Sequence, residues 1–567
     1  MLIKELKYES INLDKYIDDM EYNLSFLANN NDFETELNAI NEIVKIKAKT
    51  DTAIGLAVLR HYSDTSDEFY SEVMKSLDTI GFEIDKYETI FAKKLLDSKH
   101  QEEITNLFGE YYLQKAQIAQ RTSSEEVKEL LIEESRLVQE RTILMSKSQV
   151  EFRGKTYTIT QMPQFTTSVD RETRKAVRLA MSSFFENQEE HLDELFDKLV
   201  NVRTKIAHKL GYDNFLGLGY DRLNRIDYSP SDLKKYYKLM VKHFVPLNEK
   251  LVDKKKKRLG IEDFKYFDEA INFVDGNPTL KGNAEWIKQQ AMKMYSEMSK
   301  ETEEFFDYMM SYDLMDFESR DNKVDFGFYM YFDIYKSPFV FGSFNGTSGD
   351  VKIITHETGH AFQAFIANRI SNLYYPLQRC TPDIMEIHSM SMELLTMPWM
   401  ELFFQEDADK YRSSHLESSI GALLRITLYD EFLHIVYEKP ELSKDERKLL
   451  YKKLEEKYFP SLDYDTNEFL KKGTNWYRID LLFSVPFYMI DYNISQMVAY
   501  QIYAISRKDH NKALSKYFDL CKMGGKFSLS ELLRKAELNS PFDNETLIKI
   551  VEEVSNQIDK LEDIINM

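Results

Sequence analysis

The stretch Ser348-Gly349-Asp350-Val351-Lys352-Ile353-Ile354-Thr355-His356-Glu357-Thr358-Gly359-His360-Ala361-Phe362-Gln363-Ala364-Phe365 decides how the chain is read. Val351, Ile354, Ala361, Phe362 and Phe365 recur at helical spacing and form an apolar stripe. The helix begins near Ser348-Gly349-Asp350. His356 and His360 stand at i and i+4, away from the stripe and one turn apart on one face. Both imidazoles can therefore reach a single ion. Glu357, next to the first histidine, lies near the open position of such an ion and can take a proton from its water.

A catalytic zinc site needs three protein ligands and one open position. Thr381-Pro382-Asp383 opens a second helix, with a Thr cap, Pro at the first helical position and an acid in the first turn. Glu386 follows one turn in, 386 − 357 = 29 residues after Glu357. That interval holds the rest of the first helix, a Tyr374-Tyr375-Pro376 loop and the start of the return helix. Ile384, Met385, Ile387, Met390, Met392 and Leu394 surround Glu386, and a carboxylate in apolar surroundings needs a partner. Glu386 is the candidate third ligand. Glu393, seven residues on and nearly on the same face, is placed to orient a ligand histidine through its other ring nitrogen. Farther along, Pro486-Phe487-Tyr488-Met489-Ile490-Asp491-Tyr492 sets two phenols at i and i+4. Tyr488 and Tyr492 are candidates to stabilise an oxyanion.

The bulk numbers agree with a large helical chain. There are 567 residues with only 19 Gly and 12 Pro, which favours long helices over tight turns. Aromatic content of 13% is too high for disorder. The net charge of −21 argues against nucleic acid as a partner. Two cysteines, Cys380 and Cys521, exclude a disulfide framework and fit a reducing compartment. No apolar run approaches the roughly 18 residues that cross a bilayer, and the first residues lack a signal-peptide core. The expectation is a cytoplasmic protein with no membrane contact.

Amphipathic helices fill the first part of the chain, one with Leu37, Ile40, Val44 and Ala48 on a face and another over 123–146 with Ser123-Ser124-Glu125-Glu126 as its start. A β-hairpin interrupts them over 151–159, turning at Arg153-Gly154. A second pair of strands is expected at 327–332 and 339–344, with 333–338 as the turn. The basic run 254–258 reads as a solvated helix end or loop tip. The chain is divided at about residue 200 into an N-terminal helical lobe, 1–200, and a catalytic lobe, 201–567.

The run Phe344-Asn345-Gly346-Thr347-Ser348-Gly349-Asp350, continuing into His356-Glu357-Thr358-Gly359-His360-Ala361-Phe362-Gln363, resembles the thimet oligopeptidase and oligoendopeptidase F family of zinc metallopeptidases. Glu386-Ile387-His388-Ser389-Met390-Ser391-Met392-Glu393 is similar to the same oligoendopeptidase F-like branch. The resemblance covers most of the chain and implies a mostly α, two-lobed helical zincin with a deep central channel and a small β-sheet beside the active-site helix. It implies one zinc ion per chain and short unfolded peptides as substrates, cut internally. It also implies that the strand at Phe341, Gly342 and Ser343, with Asn345 and Gly346 after it, pairs with substrate backbone; an unpaired strand edge would do this. Two positions depart from the family. Leu481 stands where relatives carry a His about five positions after the Trp matching Trp476, and Met489 where they tend to carry a Tyr. A peptide-binding homologue with weak turnover, or a carboxypeptidase or dipeptidyl carboxypeptidase, are the alternatives on the same framework.

Overall fold

The computed structural model describes residues 5–28, 32–122, 124–371 and 379–566. The Tyr374-Tyr375-Pro376 loop and Ser123 lie outside the described residues. Helices dominate, and two small sheets are present among the described residues. The chain forms two compact units, each assembled from three segments: 1–121, 279–408 and 498–540 in the first, and 122–278, 409–497 and 541–567 in the second. Both units thus draw on early and late sequence, where the sequence reading divides the chain once, near residue 200.

In the first unit, helices Leu13–Leu24, Phe33–Ser63 and Glu68–Leu96 share a core of Tyr16, Met20, Ile40, Ile43, Val44, Ile84 and Phe91. The Asp32 side chain caps the second helix by accepting from the Glu34 and Thr35 amides. Ile40 and Val44 are buried as the periodicity requires, while Leu37 and Ala48 sit at the margin of the face. The unit also holds a three-stranded sheet of β3 (Met315–Asp316), β4 (Phe328–Phe332) and β5 (Ser337–Phe341), in the order β3-β5-β4. β4 pairs antiparallel to β5 with Phe328 opposite Phe341, and β3 runs parallel to β5. The link from β4 to β5 is a tight turn that Lys336 closes in the left-handed region, at φ 49°.

In the second unit, β1 (Val150–Phe152) and β2 (Lys155–Tyr157) form the expected hairpin. Arg153 and Gly154 both have positive φ, 52° and 75°, as the hairpin twist demands of a two-residue turn. The helix before it runs Lys128–Ser146, preceded by a 3₁₀ turn at Glu125–Val127 that the Ser124 side chain caps. The basic run closes the helix Pro230–Leu259, where cations favour the negative end of the helix dipole and Gly260 adopts the left-handed cap, at φ 66°. This run is not a freely solvated face. Lys254 pairs with Asp559 at 2.6 Å, and Arg258 grips Glu417 with two bonds of 2.9 and 2.7 Å.

Candidate metal centre

The helix Gly349–Ser371 carries His356, Glu357 and His360, and the helix Pro382–Leu395 carries Glu386 and Glu393. All five residues belong to the first unit. A buried carboxylate holds the start of the first helix. Asp350 accepts the amides of Asn345, at 3.0 Å, and Gly346, at 2.8 Å. Gly346 takes φ 81°, which glycine adopts without penalty.

The two helices meet at Gly359. A Cβ placed there would lie 2.7 Å from the Cα of Ser389 and 2.8 Å from the His388 carbonyl oxygen. Only glycine permits that approach, and the approach is what carries Glu386 to the histidines. One oxygen of Glu386, Oε2, lies 3.2 Å from Nε2 of His356 and 3.4 Å from Nε2 of His360. The donor atoms of the three residues all fall within 4.8 Å of one another.

These distances fall into two ranges. A charge-assisted hydrogen bond from imidazolium to carboxylate runs about 2.7–2.9 Å. Ligands about 2.0–2.1 Å from a tetrahedral ion are separated by an edge of about 3.3 Å. The two contacts to Glu386 match the edge. The contact on the other side of His356 matches the hydrogen bond: Nδ1 lies 2.6 Å from Oε1 of Glu393. Glu393 therefore accepts a hydrogen bond from Nδ1–H, which keeps the proton on Nδ1 and leaves Nε2 of His356 as a lone-pair donor. Ser389 donates to Glu386 Oε2 at 2.9 Å and keeps that carboxylate turned towards the histidines. His360 Nδ1 has no hydrogen-bond partner among the described residues. Its ring is held by stacking on Tyr329, with centroids 5.3 Å apart.

The electrostatics call for a cation. Burial disfavours a charged His356, yet Glu386 and Glu393 on either side raise its proton affinity well above that of a free imidazole. Burial opposes the ionised Glu386 too, but His360 and His356 hold it far below the ordinary carboxylate range. A divalent ion with a neutral His pair satisfies this donor set, and the residues fit zinc in number, type and spacing. Glu357 is buried and is not one of the three converging residues. Burial raises its pKa above the ordinary carboxylate value, and the nearby histidines offset only part of that. An oxygen of Glu357 would lie 3.1 Å from a Cβ at Gly327, so the glycine before β4 leaves room for this carboxylate. His388, in the same helix as Glu386, is fully buried and points elsewhere, with Nδ1 3.6 Å from Cys521 Sγ. Burial, and then His360, lowers its pKa to about 3, so it stays neutral.

The strand expectation is corrected in part. β5 is the middle strand, so Phe341 has neighbours on both sides and offers no free edge. Gly342 is also fully used: its amide donates to Asp316 O at 2.9 Å and its carbonyl accepts Lys323 Nζ at 2.6 Å. The amides of Asn345 and Gly346 are spent on Asp350, and the Asn345 side chain accepts from Thr347. These two residues build the turn into the helix. Ser343 is half-buried. The edge strand beside the histidines is β4, whose Tyr329 covers His360. The sequence reading missed Tyr329, Gly327 and Ser389. Gly359 lay inside the quoted motif, but its spacing role follows from the packing.

Tyr488 and Tyr492 belong to the second unit. Their rings meet edge to face, 5.6 Å apart. Tyr488 stands just before the helix Met489–Ser506, so Met489 is that helix's first residue. Phe487, a bulky residue at φ 70°, makes the sharp turn into it. Arg225 holds this turn by donating to the Phe487 carbonyl and pairing with Asp491 at 2.6 Å, and Tyr228 donates to Asp491 at 3.1 Å. Nothing in the local sequence signals Arg225, which lies far upstream. Leu481 is half-buried in the short helix Asp480–Ser484, and Trp476 is fully buried.

Among the described residues no helix is long and apolar enough to cross a membrane. Comparison with known proteins then agrees with the geometry. Residues 164–552 match the model of Peptidase family M3, and residues 3–123 match the Peptidase M3 N-terminal domain. A solved structure of PZ peptidase A with an inhibitor is 37% identical, covers 98% of this chain and 99% of its own, and superposes with a TM-score of 0.94. A structure provisionally named oligoendopeptidase F, from Bacillus anthracis str. Ames, is 35% identical over 99% of this chain and 98% of its own, at a TM-score of 0.88. Oligoendopeptidase-F from Enterococcus faecium shares the fold at 17% identity and a TM-score of 0.65, covering 98% of this chain and 97% of its own. No curated protein matches the chain. With a family model spanning most of its length and relatives aligned end to end, the chain belongs to peptidase family M3.

Proposed function

We propose that the chain is a zinc-dependent endopeptidase of short, unfolded oligopeptides. The observation that carries the proposal is the pair of Nε2–Oε2 separations, 3.2 and 3.4 Å, which have the length of a tetrahedral zinc edge. His356, His360 and Glu386 would hold the ion. Zinc bound there supplies a Lewis acid for the scissile carbonyl and makes water nucleophilic at neutral pH.

The chain's own residues do the remaining work. Glu357 accepts a proton from the attacking water at its carboxylate and delivers it to the departing amine. Its burial strengthens it as a base, and Gly327 keeps the space around it open. Glu393 fixes the tautomer of His356, and Ser389 fixes the rotamer of Glu386. Tyr492, with Tyr488 second, is assigned the stabilisation of the tetrahedral oxyanion. An extended substrate pairing with β4, rather than with the filled β5, accords with the place of β4 at the end of the strand order among the described residues.

The test joins metal content to turnover. Purified protein should carry about one zinc per chain, as a single three-ligand site requires. A chelator should abolish cleavage of an internally quenched peptide, and added zinc should restore it. His356→Ala should lose both zinc and cleavage; full zinc content in that variant would refute the ligand assignment. An end-blocked peptide cut at an internal bond separates an endopeptidase from a carboxypeptidase. Zinc binding without cleavage of any peptide would favour a binding protein instead.

A further inference from the structure

The second unit contains a cavity of about 360 Å³, within the size range of small-molecule sites. It is walled by the helix Pro230–Leu259, the segment 264–272, the helix Ala408–Glu438 and residues 459–463. A smaller recess of about 60 Å³ adjoins it and shares Arg178, Tyr266, Glu269 and Arg425.

The charges on the wall do not balance. Each carboxylate already has a cation of its own. Glu417 takes Arg258 at 2.9 and 2.7 Å, Asp463 takes Lys265 at 2.7 Å, and Glu269 takes Arg425 at 2.6 Å. Glu455, near the recess, is hydrogen-bonded to Tyr464 at 2.5 Å and Asn475 at 3.2 Å, and burial raises its pKa, so it contributes little negative charge. Three cations are left over. Arg178 makes no ion pair with a described residue, and its Nε is buried without a hydrogen-bond partner. Lys255 donates only to the Glu269 carbonyl, at 3.0 Å. Arg478, on the recess, spends its Nε on Asn475 at 2.9 Å and likewise faces no carboxylate. Burial lowers the pKa of Arg178, and the facing Arg478 lowers it further. Burial lowers that of Lys255 as well, with Glu417 and Glu269 offsetting only part of it.

A cation held out of water without a counter-charge destabilises the fold. The wall therefore carries more cations than carboxylates around a space large enough for a ligand. Phe264, Tyr266 and Phe459 give the same space an aromatic lining. We propose that this cavity binds a small organic anion, its carboxylate or phosphate head on Arg178 and Lys255 and its apolar body against Phe264, Tyr266 and Phe459. Every lining residue lies in the second unit, whereas the histidine–glutamate cluster lies in the first, so the proposal stands apart from the peptidase reading.

The test uses the full-length, zinc-loaded protein at fixed ionic strength. Calorimetric titrations with phenyl phosphate, benzoate and inorganic phosphate are compared with the doubly substituted Arg178→Gln, Lys255→Gln protein. One of the two aromatic anions should bind saturably, one per chain, and raise the melting temperature. The tighter of the two identifies the head group. The substituted protein should bind at least about tenfold more weakly, because charge-assisted bonds to the head are lost. Its ligand-free melting temperature should be unchanged or higher, because no carboxylate loses its partner. Absence of saturable binding at millimolar concentration would overturn the proposal. So would binding that survives the double substitution, which is the outcome if the anion sits at the zinc cluster. Inorganic phosphate binding as tightly as phenyl phosphate would overturn the aromatic part of the site.

Discussion

Replacing Gly359 with alanine tests whether the metal centre is built by the close contact of two helices. The added Cβ would meet Ser389 Cα at 2.7 Å and His388 O at 2.8 Å. Non-bonded carbons rest about 3.5–4.0 Å apart, so the contact is about 1 Å too short. Both obstructing atoms are backbone and cannot rotate aside, so the helix Pro382–Leu395 has to move. Alanine in place of a mid-helix glycine is worth about 1 kcal/mol in the other direction. Forced overpacking costs about 1–3 kcal/mol, so the net change in stability is a loss of up to about 2 kcal/mol. Metal affinity is the sharper readout. Ligand distances tolerate only about 0.2 Å, and Glu386 sits one turn before Ser389 on the helix that is displaced. Zinc affinity should fall at least about tenfold, about 1.4 kcal/mol, while His356 and His360 keep their own spacing. Competition against a chromophoric chelator measures the affinity, and thermal melting of the zinc-free protein measures the fold. Affinity within about threefold of wild type would show that the helix spacing is not what brings Glu386 to the histidines.

Other consequences follow from the same contacts. Glu357→Gln should retain zinc, yet lower kcat at least about a hundredfold in a quenched-peptide assay, because an amide cannot accept the water's proton. Glu393→Gln should weaken zinc binding about 10–100-fold by chelator competition, since His356 Nδ1 loses its carboxylate; wild-type affinity would deny that residue its orienting role. Asp491→Ala strands the buried Arg225 and should cost about 3–5 kcal/mol in denaturant unfolding. If the Phe487 turn positions Tyr488 and Tyr492, kcat should also fall with KM little changed, a split that a purely structural loss would not produce. Leu481→His should raise kcat at constant zinc content if a missing donor limits turnover; Tyr492→Phe should be the damaging change, by about 10²–10³, if the tyrosines suffice.

How much of this was legible in the sequence depended on whether the feature is local or a matter of neighbours. The i, i+4 spacing of His356 and His360 holds wherever the segment is helical, so both histidines lie on one face as expected. Thr381-Pro382 marked the second helix correctly, and the helix begins at Pro382. The 153–154 turn was equally local: Gly154 relieves the second of two positive φ angles and the hairpin follows. Which strand stands at the end of the sheet was not local. The strand expected at 339–344 is found at Ser337–Phe341, and its place in the middle of the sheet depends on Met315–Asp316, a two-residue strand too short to leave any periodicity. The charge run 254–258 failed for the same reason, since its partners Glu417, Asp559 and Glu562 lie far downstream.

The same distinction explains why Gly359 matters more than its neighbours in the motif. A His-Glu-x-x-His helix by itself supplies two ligands and a base, and any small residue could stand between them. The third ligand comes from another helix, and its reach is limited by how near the two backbones can come. Glutamate extends only a few bonds from its Cα, so a wider helix separation would leave Oε2 short of both imidazoles. The residue between the histidines is thus constrained by Glu386 rather than by the metal. That constraint predicts an asymmetry. Enlarging residue 359 should damage zinc binding through Glu386, whereas Thr358, which faces the other way and bonds to Tyr295 at 2.5 Å, should tolerate Thr358→Ser with zinc affinity intact. Equal loss of zinc affinity in Gly359→Ala and Thr358→Ser would mean that the helix is merely fragile at this point, and the geometric account would fail.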